Sequence, residues 1–457
     1  MSLPRYPKYK DSGVEWLGQV PEHWGVVAVR RFVHRIEQGW SPECYARPAQ
    51  EDEWGVLKSG CVNRGMFVEQ ENKALPDTLI PVREYEVCSG DVLMSRASGS
   101  PELVGSTAYV VATRPRLMLS DKTFRIHLEE SVDRRFFVAA FNARFMRSQI
   151  ERAISGADGL ANNLPQSALL EFLCVVPPLP EQLAIAAFLD RETAKIDALV
   201  AEQQRLIDLL KEKRQAVISH AVTRGLNPDA PMKDSGVEWL GEIPAHWKVI
   251  ALKRIADVNT GMAKGKDNGE RDTIAVPYLR VANVQDGYLD LEEVTVMEIP
   301  AADLPRYSLK SGDVLMNEGG DFDKLGRGCV WHGQIDPCIT QNHVFAVRPR
   351  MVNSDWLNAI TSSDYAQFYF MTRSKQSTNL ASISSTNLME LPVVLPPADE
   401  ATTILDAIAD KTKAYNELLT AAQSAIDLLR ERRAALISAA VTGQIDVRHL
   451  TPSESAP

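Results

Sequence analysis

Four residues in the second half of the chain have the spacing of a metal site. Cys329-x2-His332-x5-Cys338-x4-His343 offers two thiols and two imidazoles, a donor set that suits tetrahedral zinc. The chain carries its own control, because its two halves repeat. At an offset of 221 the aligned residues are Ala108, Val111, Leu117 and Lys122, and none of them binds metal. The first copy must fold without a metal there. The second is therefore read as small strand cysteines beside surface histidines, with no metal site expected. Asp321-Phe322-Asp323-Lys324-Leu325-Gly326 opens like a calcium loop, but Leu325 stands where an oxygen ligand belongs and His332 where the loop's glutamate should be. GMAKGK at 261–266 is one residue short of a phosphate-binding loop and is not followed by Ser or Thr. GxGxxG, HExxH and GxSxG do not occur, and NPDA at 227–230 is not an adenine methyltransferase motif. No catalytic residue is assigned.

The elements that would carry any site are written twice. KDSGVEWLG occupies 10–18 and again 233–241, and VPEHW at 20–24 returns as IPAHW at 243–247, both at an offset of 223. SGDVLM at 89–94 returns at 311–316, and LCVVPP at 173–178 aligns with PVVLPP at 392–397. The order is preserved and small deletions account for the drift, so one globule-plus-rod unit is repeated. Within each globule TAYVVA (107–112), TFRIHL (123–128) and HVFAVRP (343–349) read as strands. Residues 133–154, with Phe136, Phe137, Ala140, Phe141, Phe145 and Ile150 at helical period, read as a helix, and 354–372 as its counterpart.

The rods follow. No Gly or Pro lies between Glu181 and Thr223, and AIDLLRERRAALISAAVT closes a second such run. Each predicts a helix of about 60 Å. Ile196, Leu199, Leu206, Leu210 and Val217 form a heptad-like seam, flanked by Val200 and Ile207. Tyr415, Leu418, Leu429 and Leu436 form the second, flanked by Leu419 and Ile426. Lys211, Lys213, Arg214, Arg430, Arg432 and Arg433 make the last turns basic, which complements the helix macrodipole or meets phosphate or an acidic partner. The expected boundaries are a globule at 1–179, a helix at 180–224, a linker at 225–232, a globule at 233–397, a helix at 398–443 and a polar, disordered tail at 444–457. The fold class is α+β: two tandem mixed α/β domains, each followed by a long helix, the helices forming an antiparallel coiled coil.

Lys and Arg number 50 against 60 Asp and Glu, a net charge of −10, so a nucleic-acid surface has to be a local basic patch. Six scattered cysteines without a CxxC fit a reduced cytosolic compartment. The opening MSLPRYPKYK has no apolar stretch behind it and is not expected to be a signal peptide, and no apolar run reaches bilayer length.

KDSGVEWLGEIPAHW, then SGDVLM, then PPLPEQ leading into a long helix that ends AVISHAVT, all duplicated, resembles the specificity subunit of type I restriction-modification enzymes. The resemblance covers nearly the whole chain. It implies a non-catalytic, cytoplasmic subunit of bacterial or archaeal origin. Each globule would be a target recognition domain reading one half of a bipartite site in double-stranded DNA, and the helices would set the spacing. Two adenine methyltransferase subunits would dock on the chain, and restriction/translocase subunits would join them. S-adenosylmethionine, ATP and Mg are expected on those partners and none on this chain. PPADEA replaces PPLPEQ in the second copy, so the docking surface need not be symmetric.

Loops 38–54 and 259–273 share almost nothing, nor do 95–104 and 317–325. A common scaffold with unlike loops fits two unlike targets. The expected DNA-contacting residues lie in or beside these loops: Lys58, Arg64, Arg96 and Lys122, then Lys264, Lys266, Arg271, Arg280, Lys324, Arg327, Asn342 and His343. For any one of them the competing reading is a solvated surface charge. For the whole chain it is a coiled-coil protein-interaction scaffold that does not bind DNA.

Overall fold

The computed structural model describes residues 3–154, 162–264, 271–320, 325–376 and 381–450. The chain forms two compact units, residues 1–202 with 425–457, and residues 203–424. These units cut across the helices. Each takes one globule, the near part of one long helix and the far part of the other.

In the first unit a four-stranded antiparallel sheet runs in the order Val33–Gln38, Thr123–Leu128, Val92–Ser95, Thr107–Tyr109. Gly55–Leu57 pairs parallel with Leu117–Met118 and antiparallel with Asn72–Ala74. Gly25–Ala28 pairs with Leu173–Val176, which delivers the chain to the first long helix, Leu179–Arg224. The second unit repeats the plan. Its sheet runs Ala256–Thr260, Val344–Pro349, Val314–Asn317, Gly328–Val330, and Thr273–Leu279 lies between Thr295–Pro300 and Ile339–Thr340. Lys248–Ala251 pairs with Pro392–Leu395 ahead of the second long helix, Ala398–Val441.

The repeated sequence motifs turn out to be structural. In KDSGVEWLG, Asp11 Oδ1 accepts from Gly13 N at 2.9 Å and Gly13 has φ +74°. Asp234 and Gly236 do the same at 2.9 Å with φ +75°. In SGDVLM the Asp closes its own turn, Asp91 on Cys88 N at 2.9 Å and Asp313 on Lys310 N at 2.8 Å. Each Asp also meets an arginine of the neighbouring strand. Arg125 Nε lies 3.1 Å from Asp91, and Arg348 grips Asp313 with two bonds of 2.7 Å. That hydrogen bonding raises the pKa of Arg348 above its ordinary value. Burial pushes the Glu37 carboxyl up, but the bond from His127 and the charge of Arg125 outweigh it and hold its pKa low.

The continuous helix read over 133–154 is two, Arg134–Phe141 and Arg144–Ala153. Asn142 stands at the break and binds both Thr107 N and Thr107 O, at 3.1 and 2.6 Å. The counterpart breaks likewise into Ser354–Thr361 and Asp364–Arg373. The helix Arg134–Phe141 fills the first core with Phe136, Phe137 and Phe141 over Trp24, Phe32 and Phe124. Trp247, Trp356, Phe345 and Phe370 fill the second.

The long helices run antiparallel within each unit. In the first, Arg433 Nε lies 3.1 Å from Asp197 Oδ1. In the second, Val217 and His220 line one recess with Ala407 and Lys411. The seam needs correcting by one residue in both copies. Leu199, Leu206 and Leu418 are exposed, at 51%, 41% and 51%. Their neighbours turn inward: Ile207 is buried, and Val200 and Leu419 are half-buried; Ile426, expected as a flank of the second seam, is buried too. Ile196 and Leu210 are buried, and Val217, Tyr415, Leu429 and Leu436 half-buried. Each misread position holds two adjacent apolar residues about 100° apart on the helix. The choice between them is made by a 4-3 spacing that passes through polar Gln203 and Arg214, both half-buried. The basic residues 211–214 and 430–433 also lie well short of the helix ends at Arg224 and Val441. A macrodipole effect confined to the last turn does not reach them. Arg214 instead pairs with Asp286 at 3.4 Å, and Arg433 with Asp197.

Residues 444–450, expected to begin a disordered tail, are folded. Val447 is fully buried, and Ile445 and Asp446 are buried beside it. Asp446 N donates to Pro4 O at 2.8 Å, Tyr9 OH to Gly443 O at 2.9 Å, and Arg191 to Leu450 O at 3.0 Å. Apolar residues at 445 and 447 alternate with polar ones, a period too short to stand out against a polar background.

Candidate nucleic-acid interface

In the first unit the strand Val92–Ser95 delivers Arg96. Its backbone is pinned on both sides: N donates to Lys122 O at 2.8 Å, and O accepts from Leu164 N at 2.9 Å. Arg96 Nη1 donates to Asp121 O at 3.1 Å, and its guanidinium carbon lies 6.0 Å from the Phe124 ring centroid. Lys122 is exposed, with Nζ 3.4 Å from Asp121. Gln38 Nε2 reaches the same turn, 3.2 Å from Asp121 O, and Ser41 bonds the Asp121 carboxylate. Thus the start of loop 38–54 and the root of loop 95–104 meet at one place.

That meeting depends on Gly39. A Cβ there would lie 2.0 Å from Leu119 O, so no other residue fits without moving backbone. Gly261 holds the same position in the second unit, where a Cβ would lie 2.2 Å from Thr340 O.

Lys58 is drawn elsewhere, to Glu71 at 3.5 Å, with both side chains well solvated. For Arg64 only the backbone is described, in the short helix Ser59–Gly65.

In the second unit Glu318 replaces Arg96 with the same backbone bonds, N to His343 O and O from Ile383 N, both 2.9 Å. His343 Nδ1 lies 3.0 Å from Glu318 Oε2, and Asn342 Nδ2 lies 3.3 Å from His343 Nε2. The carboxylate fixes the proton on Nδ1, which leaves Nε2 to accept from Asn342. Asn342 N donates to Met262 O at 3.1 Å, which brings the root of the 259–273 loop, with exposed Lys264, to this place. Arg327 O accepts from Asn317 N at 2.9 Å, so Arg327 sits beside Glu318's strand. Arg280 follows the strand Thr273–Leu279, and Leu279 O accepts from Gln341 N at 2.8 Å. Arg280 and Arg327 are half-buried, and their Nε atoms find no acceptor among the described residues. Among the described residues neither guanidinium pairs with a carboxylate. Arg271 is exposed. Lys266 and Lys324 lie outside the described residues.

The site that emerges is therefore one sheet end in each unit, carrying Arg96 and Lys122 in one and Arg280, Glu318, Arg327, Asn342 and His343 in the other. Glu318 and Asp121 were not singled out from sequence. The signal was available in the opposite charges of the aligned residues Arg96 and Glu318.

The zinc-like four do not converge. Cys329 and Cys338 are packed in a core cluster with Leu279, Trp331 and Val344, and burial pushes both thiols up to about 12. His332 is exposed, and His343 is engaged by Glu318. Among the described residues no group of three or more His, Cys, Asp or Glu is placed to hold a metal ion. Among them, too, no helix is long and apolar enough to cross a membrane.

A duplicated α/β chain with two long paired helices is a fold with known relatives. No protein-family model matches the chain. Over 174 residues it is 33% identical to the type I restriction enzyme EcoEI specificity subunit of Escherichia coli, covering 38% of this chain and 29% of that protein. Over 401 residues it is 23% identical to the EcoKI specificity subunit of Escherichia coli strain K12, covering 85% and 82%. The MjaVIII specificity subunit of Methanocaldococcus jannaschii is 22% identical over 444 residues, 94% of this chain and 95% of that one. A solved chain from a study titled as the structural basis of complex assembly and conformational transition of the type I R-M system matches in fold. Its TM-score is 0.57 at 18% identity, over 93% of this chain and 99% of that one. The chain is homologous to the specificity subunits of type I restriction enzymes.

Proposed function

We propose that this chain is a non-catalytic DNA-recognition subunit. It reads a bipartite target in double-stranded DNA, one half with each globule, and docks two adenine methyltransferase subunits and, with them, restriction/translocase subunits. Cofactor chemistry, with S-adenosylmethionine, ATP and Mg, belongs to those partners. The reading rests on homology to specificity subunits. The observation that carries it to particular residues is the pair of sheet ends described above. One scaffold is built twice with the same hydrogen bonds, and the side chains it presents at matched positions differ in kind. A scaffold that holds position and changes only what it displays is what two unlike half-sites require. The half-buried guanidiniums of Arg280 and Arg327, with no carboxylate partner among the described residues, suit phosphate or guanine.

The chain assembled with its methyltransferase partner should bind its target duplex with affinity that falls steeply between 50 and 200 mM salt, as counterion release demands. A protein-interaction scaffold would show no duplex binding at either salt. Flat or absent binding overturns the proposal.

A further inference from the structure

Arg96 and Glu318 occupy one position of the repeated scaffold and carry opposite charge. Each is the first residue after an inner strand of its four-stranded sheet, and each is held by the same two main-chain bonds, to residues 122 and 164 or to 343 and 383. Each stands at the root of a loop that differs between the copies. Their side chains are half-buried, so neither swings freely; the Glu318 side chain is 26% exposed. A carboxylate at such a place is costly beside DNA, because it faces the phosphates' negative field. It is compensated where it accepts from a base amine. In the major groove those donors are cytosine N4 and adenine N6. Adenine adds an N7 acceptor beside its amine, which repels a second carboxylate oxygen, and cytosine does not. His343 already occupies one oxygen of Glu318, Oε2, at 3.0 Å, and leaves the other as a single acceptor. Arg96 is the converse. Among the described residues its guanidinium has one bond, from Nη1 to Asp121 O at 3.1 Å, and it keeps further donors for the O6 and N7 of guanine.

We infer that Glu318 reads a cytosine amine in the second half-site and Arg96 reads a guanine in the first, so that matched positions of the two globules read a G·C pair from opposite bases. This rests on the DNA-reading function proposed above. Asn342 and His343 act as positioning residues, orienting the Glu318 carboxylate through the Nε2 and Nδ1 contacts.

The test is selection of bound duplexes from a randomised pool by the chain assembled with its methyltransferase partner. The parent should return two specified blocks, with at least one G·C pair in each. Glu318→Gln should change one position of one block from cytosine to adenine, because a carboxamide donates and accepts in the pattern that adenine matches. The other block should stay as in the parent. Arg96→Gln should make the corresponding change, guanine to adenine, in the other block only. A change of identity at one position cannot arise from unfolding. Variants that leave every position unchanged, or lose a whole block together, overturn the inference while the parent's two blocks uphold the DNA-reading function. A parent that returns no specified blocks overturns both.

Discussion

Nε2 of His23 stands 2.6 Å from Oε1 of Glu181, 158 residues further along the chain. Glu181 Oε2 also accepts from Trp24 Nε1 and from Tyr6 OH, both at 3.0 Å. The repeated P-x-H-W motif thus grips the start of the long helix through one acidic residue. The second copy keeps His246 on Glu400 at 2.7 Å, but Trp247 Nε1 finds no partner among the described residues. Burial, followed by the Glu181 charge, holds the Tyr6 hydroxyl protonated well above its ordinary range.

Glu181→Ala strips the buried Trp24 and Tyr6 donors, and the exposed His23, of their acceptor at once. It should cost about 2–4 kcal/mol, since an orphaned buried donor costs about 1–3. Glu400→Ala breaks a single, more exposed contact and should cost about 1 kcal/mol or less. Urea melts of the two variants should rank in that order, and equal midpoints would contradict the clamp.

The corrected seam sets buried residues of each helix against exposed ones. Ile207→Ala and Ile426→Ala remove buried side chains and should each cost about 2–4 kcal/mol. Leu206→Ala and Leu418→Ala touch exposed ones and should stay within about 0.5 kcal/mol. Thermal melts that give the reverse order would restore the seam as first read.

Much of this was legible in sequence. SGDVLM, KDSGVEWLG and the two rods announced a duplicated α+β chain, because motifs tens of residues apart kept their order. The face of each rod was not settled, because Leu206-Ile207 and Leu418-Leu419 present two apolar residues in succession. The Glu181 clamp was hidden for another reason: PEHW and PEQ become neighbours only in the folded chain. Arg96 was legible as a loop-root cation. Glu318 was not, since an acidic residue is discounted in a search for DNA contacts.

The folded segment after the second helix offers a pH test. Hydrogen bonding to Arg448 outweighs burial and holds the Asp446 carboxyl below its ordinary range. A carboxyl with a lowered native pKa contributes its full stabilisation above the ordinary value of ~3.9 and loses it as pH falls through the lower native value. Docking of 444–450, followed by amide exchange at Asp446 and Arg448, should be steady above about pH 4 and weaken below it. Asp446→Asn should weaken it at neutral pH and flatten the acid limb. Val447→Ala should cost about 2 kcal/mol at any pH.

Substitutions at Arg280 and Arg327 test phosphate contact against base reading. Replacing either by Ala should weaken DNA binding. If it meets phosphate, the salt slope should fall by about one and all sequences should weaken alike. If it meets a base, one position of the site should relax by about 1–3 kcal/mol. Neutralising Lys264 and Arg271 together should lower the slope; an unchanged slope removes that loop from the interface.

The central claim is that each globule carries its own half of the specificity. The most direct measurement is a map of adenine methylation in a cell that expresses the chain with its methyltransferase partner, made before and after residues 25–176 are exchanged for the same segment of a relative. The account predicts a two-part motif with a modified adenine on each strand. After exchange, one half changes while the other half and the spacer remain. A motif in which both halves change together, or which has no second half, would contradict it.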